Sequence, residues 1–141
     1  MAEPKTFGRG SSAVYAALFV LAMLIGCSNL SNSGPLWPDS SQYANAAAMI
    51  HDWLLSGKIL HPWQFAERNY TQFPAFHLPY HPPGYPALLA LFFLLTGVSY
   101  NSARIFIALC LWAAGCSFYG ILRRTGSSRI AAFCGSLLLM T

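Results

Sequence analysis

Charge is what this sequence has least of. Glu3, Asp39, Asp52 and Glu67 are its only acidic residues, and charged side chains make up 9% of its 141 residues, against about 25% in ordinary globular domains. So few charges can hardly coat a water-exposed surface, which argues against a soluble domain. The cysteines form no CxxC pair: Cys27, Cys110, Cys116 and Cys134 all lie in or beside apolar runs. A disulfide framework or a zinc site is therefore not indicated, and small buried apolar residues is the plainer reading. No internal repeat or low-complexity tract is present. The basic clusters are short and carry no recognition motif, which argues against a nucleic-acid partner.

What is abundant is apolar and aromatic: 55% hydrophobic residues, 15% aromatics, at a net charge of +4. The pattern predicts an all-α polytopic membrane protein. No charge occurs between Arg9 and Asp39. Within that gap Ala13 to Leu30 would span about 27 Å as a helix, just enough to cross a bilayer core. A second uncharged stretch runs from Ile105 to Leu122, and a third apolar run, Ile130 to Thr141, follows it. Tyr85 to Thr96 is equally apolar, but reaches only about 18 Å as a helix. Lys5 and Arg9 precede the first span; Arg123, Arg124 and Arg129 follow the second. Both clusters belong in the cytoplasm by the positive-inside rule, and two crossings between them satisfy it where three do not. The expected layout is a cytoplasmic N-terminus (1–12), a span at 13–30 and a large outer loop at 31–101. A span at 102–122, a cytoplasmic loop at 123–129 and the start of a third span at 130–141 complete it. That last run is short for a crossing, so the chain reads as truncated, or as a piece of a longer protein. The expected location is the cell (inner) membrane, multi-pass, with 31–101 on the periplasmic side.

The loop is where chemistry is expected. Ser40 or Ser41 is placed to cap a helix over about 40–56, ended by Gly57. Tyr43, Ala47, Ile50 and Leu54 recur at helical spacing; that face either lies on the membrane or packs against a helical neighbour. Lys58 to Pro83 reads as irregular, rich in Trp63, Phe65, Tyr70, Phe73, Phe76 and Tyr80, which anchor at headgroup level or stack on sugars. A second interfacial or re-entrant helix is expected at about 84–96. Asp39 stands just past the first span, where a carboxylate can take a proton from an acceptor hydroxyl; it equally suits a helix start. Asp52 stands about 220° around a helix from Asp39, so the two do not pair. His77 and His81 lack helical metal-ligand spacing because Pro79 and Pro82 break any helix between and beyond them, and no metal is expected. His81, Lys58 and Arg68 are cations near the outer interface that can hold a lipid phosphate. Arg104, at the start of the second span, either snorkels to headgroups, binds a phosphate or pairs with Asp39. Two sequons, at Asn29 and Asn69, matter only in a eukaryotic secretory setting.

The run Tyr80-His-Pro-Pro-Gly-Tyr-Pro-Ala-Leu-Leu-Ala-Leu-Phe-Phe-Leu-Leu-Thr-Gly-Val-Ser99, followed by Ala103-Arg104, resembles a stretch of bacterial polytopic glycosyltransferases. These are the enzymes similar to dolichyl-phosphate-mannose protein mannosyltransferases and lipid A aminoarabinose transferases. Asp39-x3-Tyr43-x2-Ala46 and Ser56-Gly57-Lys58 fit the family's first outer loop, and the resemblance extends over about residues 13–141. It implies a GT-C-like helical bundle, of which this chain is the N-terminal portion and, alone, inactive. It also implies a polyprenyl-phosphate-linked sugar donor, a protein, lipid or glycan acceptor, and no metal or other cofactor. Asp39 corresponds to the family's early loop acid, the general base; Tyr43, Lys58, His81 and Arg104 fall at substrate-binding positions. His81 departs from the pattern, since relatives often carry lysine there, and histidine is charged only part of the time near neutral pH.

Two other classes fit parts of the sequence. Leu24-Ile25-Gly26-Cys27 matches a lipobox, which would make a lipoprotein acylated at Cys27. A transporter or non-catalytic membrane protein is the other; the absence of charge within the two spans speaks mildly against transport.

Overall fold

A computed structural model of the chain describes residues 10–28, 38–57, 60–72 and 82–141, with side chains at all of these except 10 and 38–40. Every regular element among them is a helix: α1 (Gly10–Cys27), α2 (Pro38–Leu55), α3 (Pro62–Gln72), α4 (Gly84–Thr96), α5 (Tyr100–Arg124) and α6 (Arg129–Met140). They fall into two compact units, residues 1–29 with 107–141, and residues 30–106, the boundary lying within α5.

In the first unit, α1, the greater part of α5 and α6 share a core of Leu18, Ala22, Tyr119, Ala132 and Met140. Aromatic edges meet faces between α1 and α5: Tyr15 on Tyr119 at 5.7 Å and Phe19 on Trp112 at 5.4 Å. Trp112 Nε1 also donates to the Tyr15 carbonyl at 3.0 Å. Small residues let α5 and α6 come close. A methyl group built on Gly115 would lie 2.7 Å from Met140 Sδ, and one on Gly135 2.8 Å from a Leu122 methyl. Helices in lipid use such contacts because water supplies no drive for their association there.

A Schellman turn reverses the chain between α5 and α6. Ser127 N–H donates to Leu122 O (3.1 Å) and Gly126 N–H to Arg123 O (3.4 Å), with Gly126 at φ 92°, a conformation that glycine alone adopts without strain. Ser128 then caps α6, its hydroxyl accepting from Ala131 N–H.

Tyr119 is fully buried, and its hydroxyl has no hydrogen-bond partner among the described residues. A buried unpaired hydroxyl costs about 1–3 kcal/mol. Tyr119→Phe, which keeps the ring against Tyr15, is therefore expected to raise the thermal unfolding midpoint. A lowered midpoint would show that the hydroxyl is paired.

In the second unit, α2 and α4 are the principal pair. Ala47 of α2 and Leu89, Ala90 and Phe93 of α4 form the core with Ala103 of α5, and Ile50, Tyr85 and Phe106 pack around it. Tyr43 meets Tyr85 near the start of both helices, and Ala47 lies among residues one and two turns further along α4. The two helices thus advance side by side in the same sense. Such a pair needs a crossover, and residues 56–83 supply it.

Several boundaries differ from the sequence-based expectation. α1 spans 10–27, not 13–30: the Ser28 hydroxyl turns back onto Ile25 O at 3.1 Å where the helix stops, and residues 29 and 30 lie outside the described set. α2 begins at Pro38, so Ser40 and Ser41 sit inside it and do not cap it; proline at the first helical position has the right φ and lacks only an N–H that is orphaned there anyway. Lys58 to Pro83 is not irregular throughout, since α3 occupies its middle. α5 is longer than 102–122 because Ser99 caps it at its start: the Ser99 hydroxyl accepts from Ser102 N–H at 3.0 Å. Among the described residues one helix, α5, is long and apolar enough to cross a membrane. α1, α4 and α6 are shorter apolar helices. α4 lies where it is expected, started by the Pro82–Pro83 pair and stopped at Gly97, φ 81°.

Candidate functional site

The second unit contains the helix that carries Asp39 and the segment that carries Arg104. Asp39 is in the first turn of α2, where the helix dipole favours a carboxylate; its side chain lies outside the described set. So do Lys58 and His81, along with His77, Phe73, Phe76 and Tyr80. Tyr43 is half-buried, one turn further along α2, and stands edge-on to Tyr85 at 5.5 Å and 86°. Tyr85 in turn lies 5.8 Å from Phe106, and Phe106 lies 5.4 Å from Phe92. The four rings make a continuous aromatic row across α2, α4 and α5. Tyr43 and Tyr85 make one half of it phenolic, and such amphipathic rings can stack on a sugar or sit at headgroup level.

Arg104 lies one turn into α5 and is only 8% exposed. An arginine at a helix start on a membrane boundary ordinarily lies open to headgroups; this one is enclosed, together with the buried Ser102, whose hydroxyl lies 2.8 Å from that of Ser99. A guanidinium stays charged when buried, so a site that encloses it must supply acceptors or an anion. Arg68, by contrast, is exposed on α3, a helix with no buried residue.

The face of Tyr43, Ala47 and Ile50 meets α4, which decides between the two readings of α2: the apolar stripe is covered by a helical neighbour. Only Leu55 and the polar positions near it remain open at the C-terminal end. Among the described residues no three His, Cys, Asp or Glu side chains come together.

One pairing was not visible in the sequence. His51 Nδ1 and an Asp52 carboxylate oxygen are 2.9 Å apart, with His51 largely covered and Asp52 65% exposed. Neighbours on a helix point about 100° apart, so no periodic signal marks such a pair. The carboxylate holds the imidazole in one orientation, with Nδ1 engaged and Nε2 facing away from it.

The chain matches no family model, no curated protein and no solved structure, so neither a family nor a known bundle is shown for it.

Proposed function

We propose that this chain is the N-terminal part of a multi-pass membrane glycosyltransferase. It would move a sugar from a polyprenyl-phosphate carrier to a protein, lipid or glycan acceptor on the outer face of the cell membrane. The observation that carries this reading is the enclosed Arg104 cation in the same unit as the helix of Asp39. The resemblance of residues 80–104 to the outer-loop stretch of such enzymes supports it. So does the aromatic row that begins at Tyr43.

The chemistry suits a site at the interface. The carrier's isoprenoid chain stays among lipid tails, while its phosphate-sugar emerges at headgroup level. The acceptor hydroxyl oxygen attacks the anomeric carbon, its proton passes to the Asp39 carboxylate, and the bond from that carbon to the phosphate oxygen breaks. The phosphate departs as an anion, so a fixed cation lowers the barrier as charge develops. Arg104 fills that role, with Lys58 and His81 as further cations on the carrier phosphate. The single displacement inverts the anomeric centre, and neither a metal nor another cofactor takes part. In this reading the N-terminus and the turn at 123–129 are cytoplasmic, and residues 31–101 face outward.

The packing of α1 favours this over a cleaved lipoprotein. Leu18 and Ala22, both fully buried, precede Cys27, and lipobox cleavage would strip them from the first unit's core. The intact-protein mass is expected to include them.

The experiment is Arg104→Gln beside Arg104→Lys in the full-length enzyme, assayed in membranes with a radiolabelled polyprenyl-phosphate sugar. The glutamine variant, without the charge, is expected to lose about 10²-fold in turnover, the usual size of one lost oxyanion donor. Lysine keeps the charge but not the planar fork and should fall between. Undiminished transfer by the glutamine variant at normal expression would remove Arg104 from the site.

A further inference from the structure

We infer that the turn joining α5 to α6 is a binding site for the phosphate groups of anionic lipids. The inference rests on the reading that α5 crosses the membrane.

Arg123 and Arg124 form the last turn of α5, and Arg129 opens α6. The Schellman turn joins the two helix ends, so the three arginines fall within one short reversal. Arg123 Nη1 donates to the Ser127 carbonyl at 2.6 Å, which holds that side chain over the turn. Arg124 and Arg129 are exposed.

Little in the unit offsets this charge. Lys5, Arg9, Arg123, Arg124 and Arg129 stand against Glu3 alone in residues 1–29 and 107–141, and residues 107–141 contain no acid at all. The compensating anion must therefore come from outside the unit. Its identity follows from what borders the arginines. Ile121, the residue just before the last turn of α5, is 56% exposed, and Ile130, beside Arg129, is 77% exposed. Cations ringed by open isoleucine match the profile of a bilayer, anionic at the headgroups and apolar just beneath. A phosphorylated soluble partner would meet the cations but leave the isoleucines uncovered. Arginine also holds phosphate with paired N–H donors, which suits a fixed headgroup contact.

The test uses the purified chain reconstituted in phosphatidylcholine vesicles containing trace spin-labelled phosphatidylglycerol or spin-labelled phosphatidylcholine. Electron spin resonance separates lipid held at the protein from bulk lipid. The expected result is a preference of about fivefold for phosphatidylglycerol, the size of one arginine–headgroup contact. It should fall towards unity in Arg124→Gln/Arg129→Gln. Both positions are exposed, so helix content by circular dichroism should be unchanged. Equal association of the two lipids, or a preference the double substitution leaves intact, would overturn the inference. So would displacement by millimolar inorganic phosphate but not by chloride of equal ionic strength, since the site would then be one for free phosphate. If neither lipid is held at the protein, the membrane reading itself fails, and the inference with it.

Discussion

In the full-length protein, Asp39→Asn is expected to reduce sugar transfer by about 10²- to 10⁴-fold, the range that one positioned general base contributes. The substitution removes the proton acceptor and keeps the size and helix-start chemistry of the side chain, since asparagine caps and opens helices as readily as aspartate. Protein level, helix content and carrier binding should therefore persist while turnover collapses. That pattern separates the base from the residue's structural alternative. If Asp39 only opens α2, with its carboxylate favoured by the helix dipole, the variant should lose at most about 1 kcal/mol of stability and none of its activity. The measurement is the initial rate with saturating polyprenyl-phosphate sugar, beside Arg104→Gln under the same conditions. Arg104 acts on the departing phosphate and Asp39 on the incoming hydroxyl. The double variant should therefore be little worse than the poorer single variant if both serve one transition state.

Phe93→Ala is the substitution expected to harm the fold of the second unit most. Phe93 is 1% exposed and is the largest side chain of a buried core it shares with Ala47 of α2, Leu89 and Ala90 of α4 and Ala103 of α5. Alanines make up most of that core, and their short side chains do little to fill the space. Truncating a buried phenylalanine costs about 3–5 kcal/mol, most when the surroundings cannot collapse. Thermal unfolding in lipid nanodiscs should show the midpoint drop. Limited proteolysis should open the crossover between α2 and α4 first. An unchanged midpoint would mean that α2 and α4 are held together by something other than this core.

The long apolar elements were legible because their signal is long. An uncharged run from Ile105 onward with arginines behind it can hardly be anything but a helix, and α4 is bracketed by Pro82–Pro83 and Gly97, which start and stop helices by fixing or freeing φ. The caps were less legible. Pro38 and Ser99 move helix starts by a turn or less, a local choice of hydrogen bond that hydrophobic periodicity does not register. α3 was missed although Trp63, Ala66 and Tyr70 recur at helical spacing along Pro62–Gln72: the stripe is short, it buries no residue, and the aromatics around it read equally well as interfacial anchors in a loop. The two readings of α2 were inseparable in sequence, because a stripe made for lipid and a stripe made for α4 use the same residues at the same spacing. At the site, the residue types were visible and their surroundings were not. Arg104 reads as a boundary arginine from its place before an apolar run; that it is only 8% exposed is a matter of tertiary packing, which its sequence neighbours do not encode. The His51–Asp52 contact likewise comes from side-chain rotation, which spacing does not encode.

Sidedness is the claim on which the catalytic reading stands, and cysteine accessibility tests it most directly. In a cysteine-free background, Leu60→Cys places a thiol at a site 89% exposed in the second unit, and Thr125→Cys places one at the exposed turn after α5. In intact cells, a membrane-impermeant maleimide is predicted to label position 60 and to reach position 125 only after permeabilisation. Labelling of 125 but not 60 in intact cells would put Asp39 and Arg104 on the cytoplasmic side, and the proposed transfer at the outer face could not occur there.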